Sequence, residues 1–251
     1  MRVLFFLMVV LAASSSAAFG QATEKEIHSR EQLWFGYFNQ GRITNRLGYW
    51  VDVHYRQTDN FIERPFQFLI RPALTYFIKD NLRINAGYAF ANHFPAEGLE
   101  TSRPEHRMWQ QVWWNQKYSG FNTIQWLRLE ERFNRKISND ELMDGYNFNY
   151  RVRYNMSFFI PLKGEELSAG TPFLAVMDEI FLNFGKRIVY NTFDQNRFFG
   201  GVGYMFTSHL NVQLGYMHVF QQESSGDKYW STHAIRLFMF HTMDFRKKES
   251  K

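Results

Sequence analysis

The 251-residue chain is 45% hydrophobic and 21% charged, which excludes a disordered or collagen-like polymer. Its aromatic share of 19% (27 Phe, 13 Tyr, 7 Trp) is unusually high, and it has no Cys. That absence excludes a disulfide framework, a zinc–thiolate centre, a cysteine nucleophile and a lipid anchor on cysteine. A net charge of +5 and a mean hydropathy of −0.41 show that helical membrane spans are not the source of the apolar residues.

The chain opens on an address. Arg2 is followed by an apolar run from Val3 to Ala13, too short and wrongly flanked for a spanning helix. Ala18-Phe19-Gly20 then offers small side chains before Gln21. This predicts a cleaved secretory signal over 1–20 and one mature domain over 21–251; the alternative is a buried N-terminal strand or helix. No later window reaches eighteen apolar residues, so an exported chain of this kind is periplasmic, secreted, or a barrel in an outer membrane.

The mature sequence alternates with period two. In 44–56, Asn45, Leu47, Tyr49, Val51, Val53 and Tyr55 share one parity, and Thr44, Arg46, Gly48, Trp50, Asp52, His54 and Arg56 share the other. A strand puts these sets on opposite faces. The stretch 146–160 repeats this more cleanly: Tyr146, Phe148, Tyr150, Val152, Tyr154, Met156, Phe158 and Ile160 alternate against Asn147, Asn149, Arg151, Arg153, Asn155 and Ser157. Such runs are longer than the ~5–6 residues usual for soluble strands and cover the ~9–11 that a tilted membrane strand needs. Arg, Asp, His and Asn on one face suit a polar lumen and not a dry sandwich core.

Strands are predicted near 30–40, 44–57, 64–78, 82–93, 104–118, 121–134, 145–160, 171–184, 195–206, 209–222 and 229–245. Connections at 79–81, 119–120 and 207–209 are tight; those at 94–103, 135–144, 185–194 and 223–228 are longer and polar, and 161–170 is a longer turn on the tight side. Bacterial barrels put short turns in the periplasm and favour an even strand count. The expected fold is therefore all-β: a single antiparallel transmembrane β-barrel of about 12 strands, with ten as the alternative, after the cleaved signal peptide. The twelfth strand would lie near 21–29. The C-terminus is expected in the periplasm, where Phe245 at the end of the last strand suits an insertion signal and the basic tail 246–251 weakens the match.

Four segments, LWFGYFNQGRITNRLGYWVDVHYR (33–56), FQFLIRPALTYFIKDNLRINAGYAF (66–90), RPEHRMWQQ (103–111) and FDQNRFFGGVGYMFTSHLNVQLGYMHVFQ (193–221), together resemble an uncharacterised bacterial outer-membrane barrel family catalogued as domain of unknown function 2490. The resemblance covers nearly all of the mature chain. It implies a barrel and an outer-membrane location, and it implies no activity.

The chemistry-bearing candidates concentrate on two neighbouring strands. Arg128, Glu130 and Arg132 share one face, and Arg151 and Arg153 share a face of the next strand; Arg71, Arg83, Arg107, Glu179, Arg197 and Arg236 extend the cluster. Facing charges in a narrow barrel either pair and fill the lumen or form an Arg-lined constriction that favours anions. Asn92-His93 resembles part of the Asn, His and Ser triad of outer-membrane phospholipase A, but Pro95 stands where the hydroxyl nucleophile belongs, and Ser102 serves only if the loop folds back. Glu105 and Arg107 share a face while His106 points to the other. No HxxxH or HExxH spacing marks a metal site, and Gly200-Gly201-Val202-Gly203 lacks the Lys of a phosphate loop and fits a crowded barrel face better.

The function these readings support is an outer-membrane barrel of structural or narrow pore type with an Arg-rich polar lumen and no cofactor. Its expected partners are outer-membrane lipids, small anionic solutes and the barrel-assembly machinery, with no nucleic acid, because the bases alternate with aromatics and form no stripe. The alternatives are a lipid-acting hydrolase using the 93–107 loop and a periplasmic β-sandwich binding module.

Overall fold

A computed structural model describes residues 25–246. The predicted export signal over 1–20 lies outside this range. The alternating stretches form eleven strands: β1 (Glu26–Arg42), β2 (Leu47–Thr58), β3 (Arg64–Lys79), β4 (Leu82–His93), β5 (Arg103–Tyr118), β6 (Phe121–Ser138), β7 (Glu141–Pro161), β8 (Pro172–Phe184), β9 (Phe193–Met205), β10 (Leu210–Gln222) and β11 (Lys228–Asp244). Each pairs antiparallel with the next, and the sheet closes on itself. Among the described residues there is one closed sheet and no second sheet stacked on it, which excludes the β-sandwich.

The strand count corrects the expectation of twelve. Residues 26–29 form no extra hairpin arm; they are the beginning of β1. Closure is made by β1 running parallel to β11, in unbroken register from Glu26↔Lys228 to Arg42↔Asp244. An even count would bring first and last strands together antiparallel, with both chain ends at one rim. Eleven strands need this parallel seam and place Glu26 and Asp244 at opposite rims, called below the N-terminal and C-terminal rims.

A second correction concerns 135–144, which is not a loop. β6 and β7 continue past their neighbours and meet in a two-residue turn at Asn139-Asp140, both with left-handed φ (50° and 57°), as a tight hairpin of right-handed twist requires. β5 accompanies β6 only as far as Asn134, and β8 accompanies β7 only from Tyr150. The hairpin therefore projects from the N-terminal rim. Its tip holds the β4–β5 loop: the Asp140 carboxylate accepts the backbone N–H groups of Glu100 (2.8 Å) and Thr101 (3.0 Å), and the Thr101 hydroxyl donates to the Asp140 carbonyl.

Parity fixes what faces where. Arg151, Arg153 and Asn155 are buried inside the barrel, while Tyr150, Val152 and Tyr154 alternate with them on the outside. The outer face is widely apolar, with Leu74 77%, Val202 53% and Leu127 47% exposed. Gly201 and Gly203 share inward parity with Phe199 and act as recesses for rings: a Cβ at Gly203 would stand 2.2 Å from the Phe173 ring, and one at Gly201 2.6 Å from the Phe199 ring.

Candidate functional site: the barrel lumen

Three buried carboxylates organise one wall of the lumen, and strand register delivers their partners. Asp52 on β2 stands opposite Arg71 on β3 and accepts both its Nε and Nη2 at 2.9 Å. His54 Nε2 lies 2.7 Å from the same carboxylate, and Trp50 Nε1 donates to it at 2.5 Å. Glu105 on β5 accepts from Arg107 (2.8 and 2.7 Å) and Arg132 (2.5 Å), with His93 Nε2 at 2.9 Å. Glu130 on β6 stands opposite Arg151 on β7 and accepts from it (2.9 and 2.5 Å) and from Arg153 (2.7 Å). Arg151 reaches on to Asp194 at 2.9 Å, and Arg153 to Glu179 at 2.8 Å through Nε. Forked guanidiniums are the cations best matched to several carboxylates at once. Pairing this complete is what lets such charges be buried.

The residues predicted as one cluster fall into two kinds. Arg71, Arg107, Arg132, Arg151, Arg153, Glu130 and Glu179 belong to the ion-paired network. Arg128 and Arg83 share its face but not its bonding. Arg128 donates to the Gln111 side-chain oxygen (2.8 and 2.6 Å), lies 3.9 Å from Glu130 and stands 4.3 Å over the Trp109 ring. Arg83 has no hydrogen-bond acceptor among the described residues and rests 3.6 Å over Trp113.

The opposite wall, formed by β9, β10, β11 and β1 around the parallel seam, is aromatic. Trp34, Phe199, Met217, Val219, Ala234 and Phe238 pack there as an apolar cluster with Phe173 and Ala175 from β8. Arg236 lies 3.3 Å over the Phe199 ring and donates to Gln213 at 2.9 Å. Arg56 and Arg197 stand over one indole, Trp34, at 3.7 and 5.1 Å from a ring centroid. A cavity of about 530 Å³ runs between the walls. Trp34, Gln32 and Arg30 on this wall had no mark in the sequence. Arg56 was legible only as one polar position of many, because its distinction is the partner it lacks.

The 93–107 region gives no hydrolytic arrangement. His93 lies against Glu105 and, at 3.2 Å, the Gln67 amide, and the Pro95 carbonyl accepts from Arg64 Nη1 at 2.6 Å. His106 is outside, 2.5 Å from the Tyr88 hydroxyl. Among the described residues no three His, Asp or Glu side chains converge as a metal site.

Residues 31–230 match a family model described as a protein of unknown function (DUF2490). The chain is 24% identical over 216 residues to an uncharacterised protein of Methylorubrum extorquens, covering 84% of this chain and 87% of that one. No solved structure matches it.

Proposed function

This chain belongs to the DUF2490 family of proteins of unknown function, and we propose that it is an outer-membrane β-barrel of the transport class, with a narrow cationic lumen that favours small anions. The observation that carries this reading is the inversion of the barrel: grease outside, ions inside. Soluble monomers rarely expose apolar patches beyond a few hundred Å², whereas here outward positions of strand after strand are apolar and exposed. The shortest strands have 12 residues, enough for the ~9–11 a tilted membrane strand requires. Eight buried arginines face five buried carboxylates among the described residues, so the interior carries net positive charge. In this reading the export signal delivers the chain to the assembly machinery, the lipids cover the apolar belt, and the C-terminal rim faces the periplasm.

Purified protein in planar bilayers tests it. The expected result is a small conductance with a reversal potential favouring chloride over potassium, reduced in preference by Arg128→Ala. A silent bilayer removes the transport reading. A monodisperse monomer in buffer without detergent removes the membrane as well.

A further inference from the structure

Of the lumen's arginines that have no carboxylate partner, two lie together. Arg56 comes from β2 and Arg197 from β9, and both guanidiniums lie near the Trp34 indole. Arg56 is 91% buried yet makes no hydrogen bond or ion pair with any described residue, and its Nε is a buried donor without an acceptor. Arg197 donates Nε to the Gln195 side-chain oxygen at 3.1 Å, which leaves its terminal nitrogens unclaimed. Next to them, Gln32 accepts the Trp34 indole N–H at 2.6 Å, which fixes its amide and leaves Nε2 as a second buried donor without an acceptor. All four side chains line the cavity. Two cations and two orphaned donors thus face one space whose neighbouring carboxylate, Glu179 opposite Arg197 on β8, is engaged by Arg153 and makes no ion pair with Arg197 or Arg56.

We propose that Arg56, Arg197 and Gln32, floored by Trp34, form a binding site for a dianionic oxyanion of the phosphate-monoester class. Two uncompensated positive charges call for a ligand of charge near −2. Guanidinium forks match tetrahedral phosphate oxygens two at a time, and burial without such a partner is costly for a charge. Val219, the β10 neighbour of Arg197, and Met217 present an apolar surface for the ester's organic part. This deepens the transport reading by naming what the same lumen takes, but equilibrium binding separates the two: a barrel that binds phosphate and passes no current keeps the site and loses the pore.

The full mature chain in non-ionic detergent serves for the test. Titration with glycerol 3-phosphate and with inorganic phosphate is followed by calorimetry and by tryptophan fluorescence, with chloride at equal ionic strength as the control. The expected result is saturable heat and an emission change that Trp34→Phe removes, with affinity reduced at least tenfold by Arg56→Gln and by Arg197→Gln and kept by Arg83→Gln. Phosphatidic acid binding in mixed micelles, lost in the same two variants, supports the site with a lipid headgroup as its source. No saturable heat from any phosphate compound with the wild-type chain overturns the proposal. So does affinity unchanged in Arg56→Gln, or chloride competing at the concentration of phosphate. Should either Gln variant fail to fold, Arg56→Lys and Arg197→Lys keep the charge but not the fork, and unchanged affinity in both overturns it equally.

Discussion

The two walls of the lumen bury the same kind of side chain to opposite ends. On the wall of β2 to β7, each arginine of the network meets a carboxylate at hydrogen-bond distance, and Asp52, Glu105 and Glu130 are fully enclosed by their partners. Facing the seam, Arg56 from the adjoining β2, Arg197 and Arg236 lie on aromatic faces and have no carboxylate within 4.0 Å among the described residues. Ring faces attract a cation by ~0.5–2 kcal/mol, less than a buried charge needs to offset its lost hydration. A satisfied arginine is part of the scaffold. An unsatisfied one at equal depth is a cost to the fold, and that cost points to a ligand.

The largest expected effect sets the walls directly against each other. Glu130→Ala leaves Arg151 and Arg153 short of a shared acceptor in the barrel interior; breaking a buried pair this way costs about 3–5 kcal/mol. Arg56→Met removes a buried charge that no protein group balances, so stability stays within about 1 kcal/mol of wild type or rises. Chemical denaturation in detergent measures both. Equal destabilisation by the two substitutions would erase the distinction between the walls.

A middle-sized effect sharpens the apolar wall. Gly203→Ala places a Cβ 2.2 Å from the present position of the Phe173 ring, which is itself fully buried. Overpacking of this kind costs about 1–3 kcal/mol. Phe173→Leu in the Gly203→Ala background should recover part of the loss in the same denaturation assay. If the double variant shows the plain sum of two losses, ring and glycine are not partners across β8 and β9.

The contrast between walls also marks what was legible beforehand. Arg151 and Arg153 alternate with Tyr150, Val152 and Tyr154, and that parity alone assigns faces, because a strand has only two. It does not assign partners. Arg128 and Arg132 look alike in sequence, two positions on either side of Glu130, yet one bonds Gln111 and the other Glu105. The strand total failed for the same reason: the parallel contact of β1 with β11 is a matter of closure, and neither strand's pattern encodes it. Residues 135–144 read as a loop because polar residues dominate the projecting hairpin, and its apolar Ile137, Leu142 and Met143 keep no sustained alternation. Its Asn-Asp turn was the available signal. The seam wall could have been seen in Phe199, Gly201 and Gly203 sharing the parity of Arg197, where missing side chains imply a neighbour's ring.

The smallest effect lies outside both walls, on the projecting hairpin, and asks whether an exposed ionic contact does anything there comparable to the buried ones. Backbone N–H groups of Glu100 and Thr101 hold the Asp140 carboxyl below the usual carboxylate range. Because the folded value is depressed, the contact stabilises the loop at pH above the ordinary aspartate value of ~3.9 and is lost as pH falls through the lower, folded value. Hydrogen exchange, read as protection relative to intrinsic rates, follows the two amides. Asp140→Gly, which removes the carboxylate and keeps the left-handed turn, should lose that protection at pH 7 with little change in global stability, because an exposed charge contributes weakly, and wild type should converge on the variant only in strong acid. Protection at Glu100 and Thr101 that ignores both the substitution and the pH would mean that the β4–β5 loop is held by its own backbone, and that the ionic order of this barrel ends at its rim.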